Sequence, residues 1–250
     1  MQLLKILPLL LLITSCSKQL GLYQSYSESD FSPETSVFNH DETNDLYWLV
    51  TNDSDHLYLR IHSSKMTTQM KMLNAGFTVY LDPTGEKSES TFLNFPVRRE
   101  RRRMDRENTG RRPSGAPGGG ERPKFDVNRV IERIDSSAVF VLEGTKETFN
   151  YKANDSGIEI AVFEGEEGVF HYFSVIPFNK ISPEGEKAIS KLSIGLVSGA
   201  FEIPVNTGGG MEQRAGNRPG GGQRMAEMQK RRAEMAEPIK IWGLIELKKQ

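Results

Sequence analysis

Leu46-Tyr47-Trp48-Leu49-Val50-Thr51, then Asn52-Asp53-Ser54-Asp55, then His56-Leu57-Tyr58-Leu59-Arg60-Ile61-His62 is the stretch of this 250-residue sequence that decides its fold class. The first segment is dense in strand formers and the second is turn chemistry. The third alternates apolar and polar residues without a slip, so together they read as a β-hairpin. Successive side chains of a strand point to opposite faces. Leu57, Leu59 and Ile61 are therefore expected to face a core, and His56, Tyr58, Arg60 and His62 to face water or a ligand.

Similar signals recur downstream. Residues 75–81 read as the next strand, and Asp82-Pro83-Thr84-Gly85 turns the chain into a return strand over residues 91–97. A short polar stretch carrying Met66, Met70 and Met72 separates this pair from the hairpin. A short helix is expected over about residues 127–134. Strands are expected over residues 138–142, 157–163, 169–176 and 192–197, the middle two joined at Glu164-Gly165-Glu166-Glu167-Gly168. Residues 239–247 regain the period-2 alternation and close the domain. The pattern is all-β, and it predicts a single antiparallel β-sandwich over residues 36–250.

Two segments break the pattern. Residues 98–123 carry nine Arg, four acidic residues, five Gly and three Pro, with almost no apolar side chain. Such a segment buries too little apolar surface to offset its ordering entropy, so it is expected to be disordered. Residues 206–237 open with seven Gly and end, from Arg224, in Met, Ala, Glu, Lys and Arg of high helix propensity. Both read as low-complexity Arg/Gly-rich insertions into the sandwich. The 32 basic and 33 acidic residues of the chain conceal a sorted charge: +5 and +2 on the insertions against about −9 on the rest of the exported chain. Their shared composition predicts that the insertions leave the domain at the same end.

The amino terminus sets the location. Lys5 precedes eight apolar residues, Ile6 to Ile13. They make about 12 Å of helix against a hydrocarbon core of roughly 30 Å, so the run reads as a secretory signal and not a span. Ile13-Thr14-Ser15-Cys16 resembles the bacterial lipobox. That resemblance implies removal of residues 1–15, a thioether-linked diacylglycerol on the Cys16 sulfur, and an acylated amino terminus of the palmitate type. Ser17, where retention signals have Asp, implies the outer membrane, with the periplasmic and the exterior face both open. Cys16 is the only Cys, which excludes an internal disulfide and thiol catalysis in the exported domain. Residues 16–35 are polar without a sustained period and read as a tether.

Composition and motifs narrow the function. A hydrophobic fraction of 37% with one Cys excludes a collagen, a disulfide scaffold and a multi-pass membrane protein. No Gly-x-Ser-x-Gly, Ser-x-x-Lys or phosphate-binding Gly loop occurs, and the Gly runs lack the strand-to-helix setting that cradles phosphate. The reading therefore finds no enzyme and no cofactor. His40, His56, His62 and His171 lack metal-motif spacing, and His56 and His62 on one strand face lie about 20 Å apart, so no metal is expected. Asp82 and Glu86 share a turn with oxygens suited to calcium, but a plain turn accounts for them.

Several elements resemble a family of exported β-sandwiches, the carbohydrate-binding-module family 9-like or DOMON-like fold. They are Leu57-Tyr58-Leu59-Arg60-Ile61, the strand and turn from Gly76 to Gly85, and Tyr172-Phe173-Ser174-Val175-Ile176-Pro177-Phe178. The resemblance covers roughly residues 40–97 and 138–250. It implies a non-catalytic binding domain: sugar-binding members grip a sugar between aromatic platforms, and others carry haem or no known ligand. Trp48, Tyr58, Tyr80 and Trp242 are the candidate platform residues here. The family's Glu before Ile-Pro is replaced by Ser174-Val175, so that role does not carry over. The alternative is a structural or protein-interaction lipoprotein of the envelope acting through its basic insertions. Its targets would be anionic headgroups, lipopolysaccharide phosphates or an acidic protein. Export removes nucleic acid from the list.

Overall fold

The hairpin forms as the alternation requires: Leu57, Leu59 and Ile61 are buried, and His56, Tyr58, Arg60 and His62 are half-buried on the opposite face. The computed structural model describes residues 20–98, 125–153, 155–202 and 221–249, the last stretch without the side chains of residues 221–225. Its strands are β1 (Gly21–Gln24), β2 (Tyr26–Ser27), β3 (Asn39–Asp41), β4 (Leu46–Asn52), β5 (His56–Ser63), β6 (Phe77–Asp82) and β7 (Phe92–Asn94). They continue with β8 (Ser137–Leu142), β9 (Thr145–Asn150), β10 (Glu159–Glu164), β11 (Phe170–Pro177), β12 (Leu192–Ser198) and β13 (Lys240–Glu246). The helices are α1 (Met66–Ala75), α2 (Val127–Ile131), α3 (Phe178–Ile181) and α4 (Gly221–Ala236).

The strands form two sheets. One has the order β1-β13-β12-β6-β7-β8-β9, and the other β10-β11-β5-β4-β2 with β3 also paired to β4. The inward faces share one apolar cluster, in which the Phe77 ring of β6 meets Tyr172 of β11 edge-on at 5.3 Å. The chain is thus mostly β, its described strands in two sheets.

The expectation of purely antiparallel sheets is corrected at two edges. β1 runs parallel to β13, and β2 runs parallel to β4. Both departures come from the segment read as a tether over residues 16–35. Instead of hanging free, its described part lies along the seven-stranded sheet and then crosses to the other. Buried Ser25 marks the crossing: its hydroxyl donates to Asn52 Oδ1 at 2.5 Å and accepts from the Lys248 N–H at 2.7 Å. A tether sequence of low apolar content can do this because backbone pairing supplies the attachment.

The polar stretch with Met66, Met70 and Met72 is a helix rather than a connector. Its buried positions include Thr67, Thr68, Gln69 and Lys71, so no apolar period announces it. Hydrogen bonds carry the burial instead. Gln69 donates to the carbonyls of Ser63 at 2.9 Å and Gly168 at 2.8 Å, and Thr68 donates to the Asn44 carbonyl.

The insertions are partly corrected too. Residues 99–124 and 203–220 lie outside the described residues, as do the signal segment 1–15 and Cys16. The last part of the 206–237 segment, however, is helix α4. Its Met235 is buried, the carbonyl of Met235 accepts from the Phe201 N–H at 3.0 Å, and Glu234 reaches Lys65 at 3.8 Å. The roots of the two insertions are neighbours. Arg98 and Glu202, the last described residues before each, are 3.5 Å apart and line one open cleft of about 770 Å³.

Candidate functional site

Each sheet presents an aromatic surface on its outward face. On the seven-stranded sheet, period-2 geometry sends Tyr80, Phe92 and Trp242 outward from β6, β7 and β13. Tyr80 stands opposite both Phe92 and Gly195, and Gly195 stands opposite Trp242. Gly195 is what lets the rings meet. A Cβ there would lie 2.7–2.8 Å from three atoms of the Trp242 indole, so the indole rests on bare backbone. It reaches across to Tyr80 with ring centroids 5.6 Å apart and planes within 15° of parallel. Phe92 meets the far side of Tyr80 edge-on at 5.6 Å. All three rings are half-buried, and burial followed by the nearby Glu89 carboxylate raises the Tyr80 phenol above its ordinary value. One step along the same face, Asn94 Nδ2 donates to the Thr78 hydroxyl at 2.7 Å, a polar border beside the rings.

Of the four candidate platform residues, the structure thus joins Tyr80 and Trp242 and separates the other two. Trp48 is only 3% exposed and points into the core, where Tyr23 meets its ring edge-on at 4.7 Å. Its assignment as a platform is corrected: on β4 the even positions face inward. Tyr58 lies on the other sheet and is tied down, its hydroxyl donating to Asp53 Oδ2 at 2.6 Å. Burial and then the Asp53 carboxylate push the phenol well above the usual tyrosine range. Burial works against the Asp53 charge, but bonds from Tyr58 and the Asp55 and His56 amides outweigh it and hold the carboxyl below its ordinary value. Asp82, in the calcium-like turn, already accepts from the Thr84 amide and hydroxyl and the Ser88 amide, so it serves the turn.

The six-stranded sheet carries the second surface, which sequence reading did not assemble. The chain after β2 folds back over its outer face, so Leu49 and Thr51, although outward on β4, are fully buried. Glu28 anchors this flap. Its Oε1 and Oε2 accept from Arg60 at 2.5 and 3.0 Å, and Arg60 also donates to Thr51 at 2.8 Å. The Arg60 guanidinium lies 3.8 Å from the Phe31 centroid and 4.9 Å from that of Phe173. Beside it opens a groove of about 470 Å³ walled by Phe31, Phe38, Phe163 and Phe173, with His62 and His171 on its floor.

His62 and His171 belong to a single row across five strands. Phe163, His171, His62, Tyr47 and His40 stand directly opposite one another from β10 to β3. Phe163 stacks on His171 at 4.9 Å, Tyr47 on His62 at 4.8 Å and His40 on Tyr47 at 4.0 Å. The alternation of residues 169–176 signals that His171 and Phe173 point outward. The register that sets them beside His62 and Arg60 is not in the sequence pattern. Among the described residues no group of three or more His, Cys, Asp or Glu side chains is placed to hold a metal ion.

Burial lowers the pKa of both imidazoles, and the neighbouring His171 and His40 lower that of His62 further against the opposing pull of Asp45. The unfolded chain therefore binds more protons than the folded one as pH falls below about 6.5. These two residues should cost no stability above that pH and a growing amount as it falls toward their lowered values, with no further loss beneath them. Thermal unfolding from pH 8 to 5 in chelator-containing buffer should show a falling midpoint below pH 6.5. His62→Gln/His171→Gln should flatten that limb, and an unchanged slope in the double variant would contradict it.

No protein-family model matches the chain, and neither a curated protein nor a solved structure matches it.

Proposed function

We propose that the protein is an exported lipoprotein, anchored in the outer membrane through Cys16, whose two sheets form a β-sandwich of the carbohydrate-binding-module family 9-like or DOMON-like kind. Its role is non-catalytic: it binds a carbohydrate on the outer face of the seven-stranded sheet. The observation that carries this reading is the near-parallel Tyr80–Trp242 pair seated over Gly195 and flanked by Phe92. Adjoining half-buried rings offer an apolar surface to the C–H face of a sugar, and the Thr78–Asn94 border offers partners to its hydroxyls.

Tryptophan fluorescence tests it, because Trp48 and Trp242 are the only two indoles. In full-length Trp48→Phe protein held in detergent, Trp242 is the sole reporter. Titration with a panel of neutral hexa-oligosaccharides should shift its emission, and Tyr80→Ala should weaken binding at least about tenfold, the ~1.4 kcal/mol scale of one stacked ring. Emission unchanged by every sugar at millimolar concentration overturns the reading.

A second reading has its own support. The Arg98–Glu202 contact brings the roots of both basic segments side by side, so two positively charged stretches start from neighbouring residues. An anionic envelope surface or an acidic protein suits them, through a contact that weakens with salt.

A further inference from the structure

We propose that His62 and His171 form a two-histidine clamp for a divalent transition-metal ion of the zinc type, open on its remaining positions to water or to a ligand in the groove. The site lies on the sheet opposite the aromatic platform and stands independently of it. His62 of β5 and His171 of β11 are direct cross-strand partners, and their ring centroids are 5.6 Å apart with planes inclined at 38°. A zinc ion sits about 2.1 Å from a coordinating imidazole nitrogen and so about 3.2 Å from the ring centroid; two rings share one ion at centroid separations of about 5–6 Å. The observed centroid separation lies within that range.

The surroundings favour occupation. Both side chains are half-buried at the groove floor, and their described interactions are ring contacts and electrostatic effects rather than hydrogen bonds. Flanking aromatic rings hold each imidazole on its outer side: Phe163 stacks on His171, Tyr47 stacks on His62, and Phe38 closes on His62 edge-on at 4.7 Å. Such walls limit ring rotation and so reduce the entropy lost when an ion is captured. Depression of both pKa values keeps the rings as free bases, the form that ligates, at neutral pH. Arg60, which shares the groove, has its charge answered by Glu28, which limits repulsion of an incoming ion. His40 lies beyond Tyr47 in the row and His56 at the far end of β5, so neither is a ligand of this pair.

Zinc chloride titration of the metal-stripped, untagged full chain in detergent tests the clamp. One ion per chain is expected, with a dissociation constant on the order of micromolar, as befits two protein ligands. His62→Gln and His171→Gln should each weaken binding by at least about tenfold, while His40→Gln and His56→Gln stay within about twofold. Circular dichroism of each variant verifies that it is folded. Absence of binding by the parent chain at about 1 mM zinc, far above the micromolar range two protein ligands provide, or weakening in only one of the two groove variants, overturns the assignment.

Discussion

Trp48→Ala should destabilise the protein by about 3–5 kcal/mol, a core loss and not a binding loss. The indole is 3% exposed and belongs to the cluster shared by both sheets. Truncation removes its transfer energy and leaves a cavity whose walls belong to different layers. The loss has a local component as well. The Trp48 ring meets Tyr23 of β1 edge-on at 4.7 Å and comes within 3.3 Å of where a Cβ on Gly243 would stand. β1 is a four-residue edge strand paired, among the described residues, to β13 alone. It should therefore detach before the rest unfolds, visible as fast amide exchange over residues 21–24 in the variant at temperatures where β5 and β11 stay protected. Denaturant melts give the magnitude. A cost below about 1 kcal/mol would mean that Trp48 is not the core residue its burial indicates.

The contrast between Trp48 and Trp242 shows what the sequence conveys. Alternation placed Leu57, Leu59 and Ile61 inward without help, because one face of β5 is core and the other is polar. β4 gives no such guidance: six of its seven residues are buried, since the flap from Glu28 to Phe38 covers the outer face as the core covers the inner. A strand covered on both sides reads as an unbroken apolar run, and from such a run the facing of Trp48 cannot be derived. Trp242 sits in an alternating strand, yet its partner Tyr80 is two strands away across Gly195. Strand order is a long-range property that local pattern does not encode.

Helix α1 and the flap were illegible for a different reason. Both are held by polar contacts: Gln69 on two carbonyls in α1, and Glu28 on Arg60 in the flap. Hydrophobic periodicity is blind to elements secured in this way. The same blindness hid the groove, whose walls come from the flap, β5, β10 and β11 and meet only once the sheet order is known.

Glu28→Gln should cost about 2 kcal/mol and loosen the flap, because it strands the Arg60 charge. Arg60 and Glu28 form a bidentate pair at 2.5 and 3.0 Å, with side chains 16% and 25% exposed. The pair is neither a surface bridge, worth at most about 1 kcal/mol, nor a fully buried one, whose rupture costs about 3–5 kcal/mol. An intermediate value follows. Removing only the carboxylate charge leaves the guanidinium between Phe31 and Phe173 with Thr51 and a single neutral amide oxygen as acceptors. The sharper test is therefore the cycle with Arg60→Met, which keeps an apolar stem against both rings. If the pair acts as a unit, the double variant should lose at least about 1 kcal/mol less than the two single losses added together. Exchange over residues 28–38 should quicken in Glu28→Gln and slow again in the double variant, since the apolar stem can still seat Phe31. Strictly additive losses, or exchange that quickens equally in all three, would show that apolar contact alone holds the flap.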